Sequence, residues 1–199
     1  MKILTVALLV LAALTAAQPA TAAAPPEKWA YAVKTDSMTD ATRTVARLRS
    51  PTKLNLRFPY QGGTVGTLIV DHRGNEGVAV LFHVSRGQLV KDEGLIFRFE
   101  DGPPISFLTA AASDGSSDRL WIVGNGTIEP FNGSAQNVQA VTLEQLLGMI
   151  ASAKRLRVKA TLYDAGSPTF EFAPAGLTFE QPTPKPASEA GKQVARPAG

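Results

Sequence analysis

Cysteine is absent from the 199 residues, so no disulfide can staple the fold and no acyl chain can be carried on a cysteine. Histidine occurs only twice, as His72 and His83, too few to complete a zinc site without outside ligands. No Gly-x-Ser-x-Gly elbow is present, and the loop Asp114-Gly115-Ser116-Ser117-Asp118 lacks the Asp-x-Asp-x-Asp-Gly spacing of a calcium site. Beyond the first 17 residues, no apolar run approaches the roughly 20 residues that a membrane helix needs. A surplus of charge is also missing from the body of the chain. Residues 27–181 hold 16 basic and 16 acidic side chains, and the net charge of +3 comes from Lys2 and the last 18 residues. A domain neutral on average lacks the field that phosphate-backbone binding requires, so nucleic acid is not an expected partner.

What is present begins at the N-terminus. Lys2 precedes an apolar run from Ile3 to Ala17, followed by Pro19 and the small triplet Ala20-Thr21-Ala22. That order is the one a signal peptidase reads, so residues 1–23 are expected to be a secretion signal cut near Ala22. The mature protein is then expected to be periplasmic or secreted, and not membrane-spanning. At the other end, residues 182–199 shift to Pro, Ala, Lys, Glu, Ser and Gly, a composition expected to stay disordered. Residues 27–181 are long enough to bury one sizeable core.

Within that domain, short alternating segments are broken by Gly, Pro, Asn and Asp, the pattern of an antiparallel sheet protein. Strands are expected at Trp29 to Lys34, Thr44 to Arg49 and Lys53 to Phe58, the last with Leu54, Leu56 and Phe58 on one face and a turn at Ser50-Pro51-Thr52 before it. Thr67 to His72 and Val78 to Val84 flank Gly74-Asn75-Glu76-Gly77, a hairpin signal. A turn at Asn75-Glu76 sets His72 opposite Ala79 and His83 opposite Leu68, and the apolar character of both faces suggests a central hairpin covered on both sides. Leu95 to Glu100 and Ile105 to Thr109 form a second hairpin, and Arg119 to Val123 a further strand.

One helix is expected from Thr142, where Thr142 and Gln145 have capping-box spacing and Leu143, Leu146, Leu147 and Ile150 form one apolar stripe. Leu156, Val158, Ala160 and Leu162 then alternate with Arg155, Arg157, Lys159 and Thr161, a strand with one buried side. Asp164-Ala165-Gly166-Ser167 turns it into Thr169 to Ala173, with Phe170 and Phe172 inward. The fold class is therefore mainly β: an antiparallel β-sandwich-like domain with one packed α-helix near residues 142–153.

The side chains that could carry chemistry each have a plainer use. Ser116 and Ser117 sit among turn formers. Glu100 and Asp101 are adjacent, so on a strand they point to opposite faces and cannot bracket one glycosidic bond. Asn125-Gly126-Thr127 and Asn132-Gly133-Ser134 match a glycosylation sequon, but Asn-Gly is first of all a turn pair. Arg155, Arg157 and Lys159 make one local basic row, a candidate docking stripe for an acidic partner on an otherwise solvated face. No catalytic, cofactor-binding or metal-binding residue is identified, and no cofactor is implied.

Trp29, Asp36-Ser37-Met38-Thr39-Asp40, Phe58-Pro59-Tyr60-Gln61-Gly62-Gly63, Gly87-Gln88, Phe97-Arg98-Phe99-Glu100-Asp101-Gly102, Leu120-Trp121-Ile122, Ala153 to Val158, Leu162-Tyr163 and Phe170-Glu171-Phe172 to Gly176-Leu177 together resemble a set of small, largely uncharacterised exported proteins of Gram-negative bacteria. More distantly the layout resembles the periplasmic accessory proteins of type VI secretion and the invasion-associated locus B proteins. The resemblance covers residues 29–179 and implies fold and compartment, with no catalytic group to carry over. Some relatives have a cysteine pair after the Gly-Gln segment, where this chain has Leu89 to Leu95.

The functional expectation is a non-enzymatic protein-binding or envelope accessory module, its partner another periplasmic or envelope protein met through an exposed sheet face or loop. The alternatives are a cell-wall or glycan-acting enzyme whose residues converge only in space, and a secretion-system accessory factor.

Overall fold

A computed structural model describes residues 27–39, 41–74, 77–128 and 139–178. The expected leader, Asn75-Glu76, the sequon at Asn132 and the expected tail lie outside the described residues.

Twelve strands and one helix follow one another along these residues: β1 Ala30–Thr35, β2 Thr42–Arg49, β3 Gly66–His72, β4 Val78–Val84, β5 Leu95–Phe99, β6 Ile105–Phe107, β7 Thr109–Ala111, β8 Arg119–Ile122, β9 Gly126–Ile128, β10 Gln139–Val141, α1 Leu143–Ser152, β11 Leu156–Ala160 and β12 Thr169–Phe172. They make two six-stranded sheets, β1-β2-β3-β4-β8-β7 and β10-β9-β6-β5-β11-β12, paired antiparallel throughout. The chain builds the first sheet as a meander, crosses to the second for β5 and β6, and returns for β7 and β8. Leu108, 73% exposed, is the single residue between β6 and β7 where it crosses back.

The sheets are held face to face by the alternation seen in the sequence. Ala46, Leu48, Leu68, Val70, Val80 and Phe82 of the first sheet are fully buried, as are Leu95, Phe97, Leu156, Val158 and Phe170 of the second. Phe82 meets Phe170 with ring centroids 5.2 Å apart, and Phe97 meets Phe107 at 5.3 Å, tilted arrangements that suit the ring quadrupoles. Gly66 is needed where β3 faces the Phe170 ring, because a Cβ there would lie 2.7 Å from it.

The helix forms where the cap predicts. Thr142 accepts from the Gln145 amide, and the Gln145 side chain accepts from the Thr142 amide. Leu146 and Ile150 are fully buried, with Leu143 and Leu147 packed at the margin of the core. The segment has a distance to cover, since β10 and β11 stand four strand positions apart, roughly 19 Å at 4.8 Å each. Ten helical residues span about 15 Å of that.

Two expectations are corrected. Lys53 to Phe58 is not a strand: only Leu54 pairs, bridging Thr64, while Phe58 is 77% exposed. Pro51 and Pro59 bracket the segment, and the Tyr60 amide donates to the Arg57 carbonyl at 3.0 Å, so the chain turns instead of extending a ladder beyond that bridge. In the central hairpin the register differs by one residue. His72 pairs with Val78 and His83 with Thr67, because Arg73 donates to the Gly77 carbonyl and five residues, not four, close the turn. The shift sends Val80 and Phe82 inward together with Leu68 and Val70, and turns Ile69 and Leu81 to the outer face.

Candidate functional site

That register organises the outer face of the first sheet into rows running across the strands. One row is Arg49 on β2, Thr67 on β3, His83 on β4 and Arg119 on β8. The next, two residues along each strand and about 7 Å away, is Arg47, Ile69, Leu81 and Trp121. Arg43 and Asp71 belong to the same face farther along, with Arg73 just past the end of β3. An aliphatic and aromatic line is thus bordered by five arginines.

Three of those arginines are held by acids or by an aromatic ring. Asp71 is completely buried although it points outward, and it accepts from both Arg43 and Arg73. Arg73 also stacks over Trp121, its guanidinium carbon 4.9 Å from the ring centroid. Arg119 donates to Asp118 at 3.0 Å, which holds the Asp118 carboxyl below the usual range and raises Arg119. Arg47 and Arg49 differ: both are exposed, and neither makes a hydrogen bond or ion pair among the described residues. They lie beside a groove of about 470 Å³ that Lys28, Thr67, Ile69, His83 and Arg119 also line, with Glu27 as its acidic member.

His83 is half-buried in this groove with its Nε2 3.4 Å from the Asp118 carboxylate. Burial pushes its pKa down; the Asp118 charge opposes that, and the Arg119 charge adds to it. Among the described residues the imidazole has no serine partner, so the groove lacks the Ser-His contact that nucleophilic catalysis needs. What the arrangement can do is attract and orient anionic groups next to an apolar strip.

The candidates singled out from the sequence fall elsewhere. His72 and His83 lie on opposite faces, five residues apart along the ladder or roughly 16 Å. No three His, Asp or Glu side chains converge on a common point among the described residues. Ser116 closes a small turn on Asp114, its amide 2.9 Å from the carboxylate. Glu100 is not in β5 but in the following turn at φ 46°, where its carboxylate accepts from the amides of Lys154 and Arg155. Asp101 pairs with Arg155 at 2.6 Å and Arg157 at 3.5 Å. The row Arg155, Arg157 and Lys159 is therefore not equally open. Two of its members clamp the β5–β6 turn to the start of β11, and Lys159 alone projects without a partner among the described residues.

The basic face of the first sheet was missed because the charge balance was taken over the whole domain. Residues 27–91 hold ten basic and five acidic side chains, and Arg43, Arg47 and Arg49 share one strand phase. No protein-family model, curated protein or solved structure matches the chain.

Proposed function

We propose that this protein is an exported, non-enzymatic module that docks an acidic envelope protein on the outer face of its first sheet. The observation that carries the reading is the pairing of an apolar strip, Ile69 and Trp121, with the partnerless Arg47 and Arg49 beside the groove. Arginine and tryptophan are the residue types that dominate binding energy at protein interfaces, particularly where a desolvated centre is bordered by charge. Export rests on the leader pattern of residues 1–23. The Arg155, Arg157 and Lys159 stripe is the weaker docking candidate, since Asp101 already occupies its two arginines.

Photo-crosslinking in intact cells tests this. A photoreactive side chain at position 67, in the middle of the charged row, is expected to capture a protein whose contact surface is acidic. The same group at Ser106, on the outer face of the second sheet, is not. Identical adducts from the two positions, or a basic protein captured from position 67, would refute the proposal.

A further inference from the structure

The groove has a feature that a plain basic patch lacks: a histidine inside the row of cations. His83 faces Thr67 on β3 and Arg119 on β8 to either side, with Arg49 one strand beyond Thr67. Asp118, immediately before β8, contacts it from the end of the row, and Glu27 and Lys28 approach from the segment ahead of β1. Deepening the docking reading, we propose that this groove is an oxyanion site for a partner's carboxylate, held by Arg47, Arg49 and Arg119, and that proton uptake by His83 tightens it.

The physical argument is one of linkage. With His83 neutral, Lys28, Arg47, Arg49 and Arg119 line the groove against Glu27, while Asp118 and Asp114 reach Arg119 from the end of the row at 3.0 and 4.0 Å. A proton on the imidazole adds one positive charge beside the anion, in a half-buried position where water screens it incompletely. The same coupling read backwards means that a bound oxyanion makes protonation of His83 easier. Burial and the Arg119 charge oppose the proton while Asp118 favours it, and a bound anion adds to the favourable side. His72 cannot supply the effect, since it lies on the opposite face of the sheet.

Inorganic sulfate is the suitable probe because it stays a dianion throughout the histidine range, so any pH dependence belongs to the protein. Titration calorimetry on the mature chain is expected to show sulfate binding about fivefold tighter near pH 5.5 than near pH 8. His83→Gln should bind at both pH values with less than about a twofold difference. His83→Lys should give the tighter affinity already near pH 8. Arg47→Ala with Arg49→Ala should weaken binding at least about tenfold at both. No sulfate binding at millimolar concentration, or an undiminished pH response in His83→Gln, would overturn the inference. The docking reading would outlive that result if acidic adducts still formed at position 67, and would fall separately if they did not.

Discussion

Single side chains here do work that their position along a strand does not announce. Asp71 sits in a row of outward-facing residues yet is sealed from water by Arg43 and Arg73. Replacing it with Ala would remove the buried acid that the two guanidinium groups share. Both arginines keep partial access to solvent, so the expected loss is about 2 kcal/mol in urea denaturation, below that of a fully buried pair. His83 gives the pH signature of a histidine whose burial outweighs the pull of its Asp118 partner. Folding lowers its proton affinity from the ordinary value of 6.5, so the unfolded chain takes up the proton first as pH falls. Its contribution to stability is intact above that value and declines as pH drops through it towards the folded value. Thermal unfolding of His83→Gln should accordingly lose part of the acid-side decline that the unmodified protein shows between about pH 7 and pH 5.

Elements were legible in the sequence to the extent that local signals decided them. The capping box at Thr142 and Gln145 needs only three residues of spacing, and it is present in full. Removing it with Thr142→Ala should cost about 1 kcal/mol, measured by denaturant titration. The alternation of Leu156, Val158 and Ala160 likewise fixed β11, because each residue in that phase is buried. The hairpin at 74–77 was legible as a hairpin but not in register. A turn of four residues or of five satisfies the same glycines, and which one forms is settled by Phe82 reaching Phe170 across the sandwich. That contact is 88 residues apart in sequence and leaves no local trace. Lys53 to Phe58 alternates as a strand does, yet its neighbours offer only the Thr64 bridge. Close approach between layers is equally invisible from the chain. Gly66→Ala, an innocent change in an isolated strand, should destabilise by about 2 kcal/mol in the same titration, as the added methyl meets the Phe170 ring.

At the scale of the whole molecule, the charge balance shows how an average conceals a site. A neutral domain argued against a strong field, and that argument holds for the domain summed as one body. The sandwich separates the charges in space. Arg43, Arg47 and Arg49 leave one face of β2, Arg73 follows from the end of the neighbouring β3, and Arg119 arrives on β8 from far away in sequence. Seeing that face required knowing the order β2-β3-β4-β8, which brings together residues 47 and 121. The proposed export has its own check. The intact mass of the protein recovered from the cell envelope should correspond to a chain beginning just after Ala22, whereas a product still carrying Met1 to Ala20 would remove the secretory reading.

The most direct measurement is the affinity of the partner captured at position 67 for three forms of this chain, taken at two salt concentrations. Reversing Arg47 and Arg49 to glutamate is predicted to weaken binding about a hundredfold and to flatten its salt dependence. Lys159→Glu, on the other sheet, should leave affinity within about threefold. Equal losses in the two variants, or full affinity retained by the Arg47 and Arg49 reversal, would contradict the account.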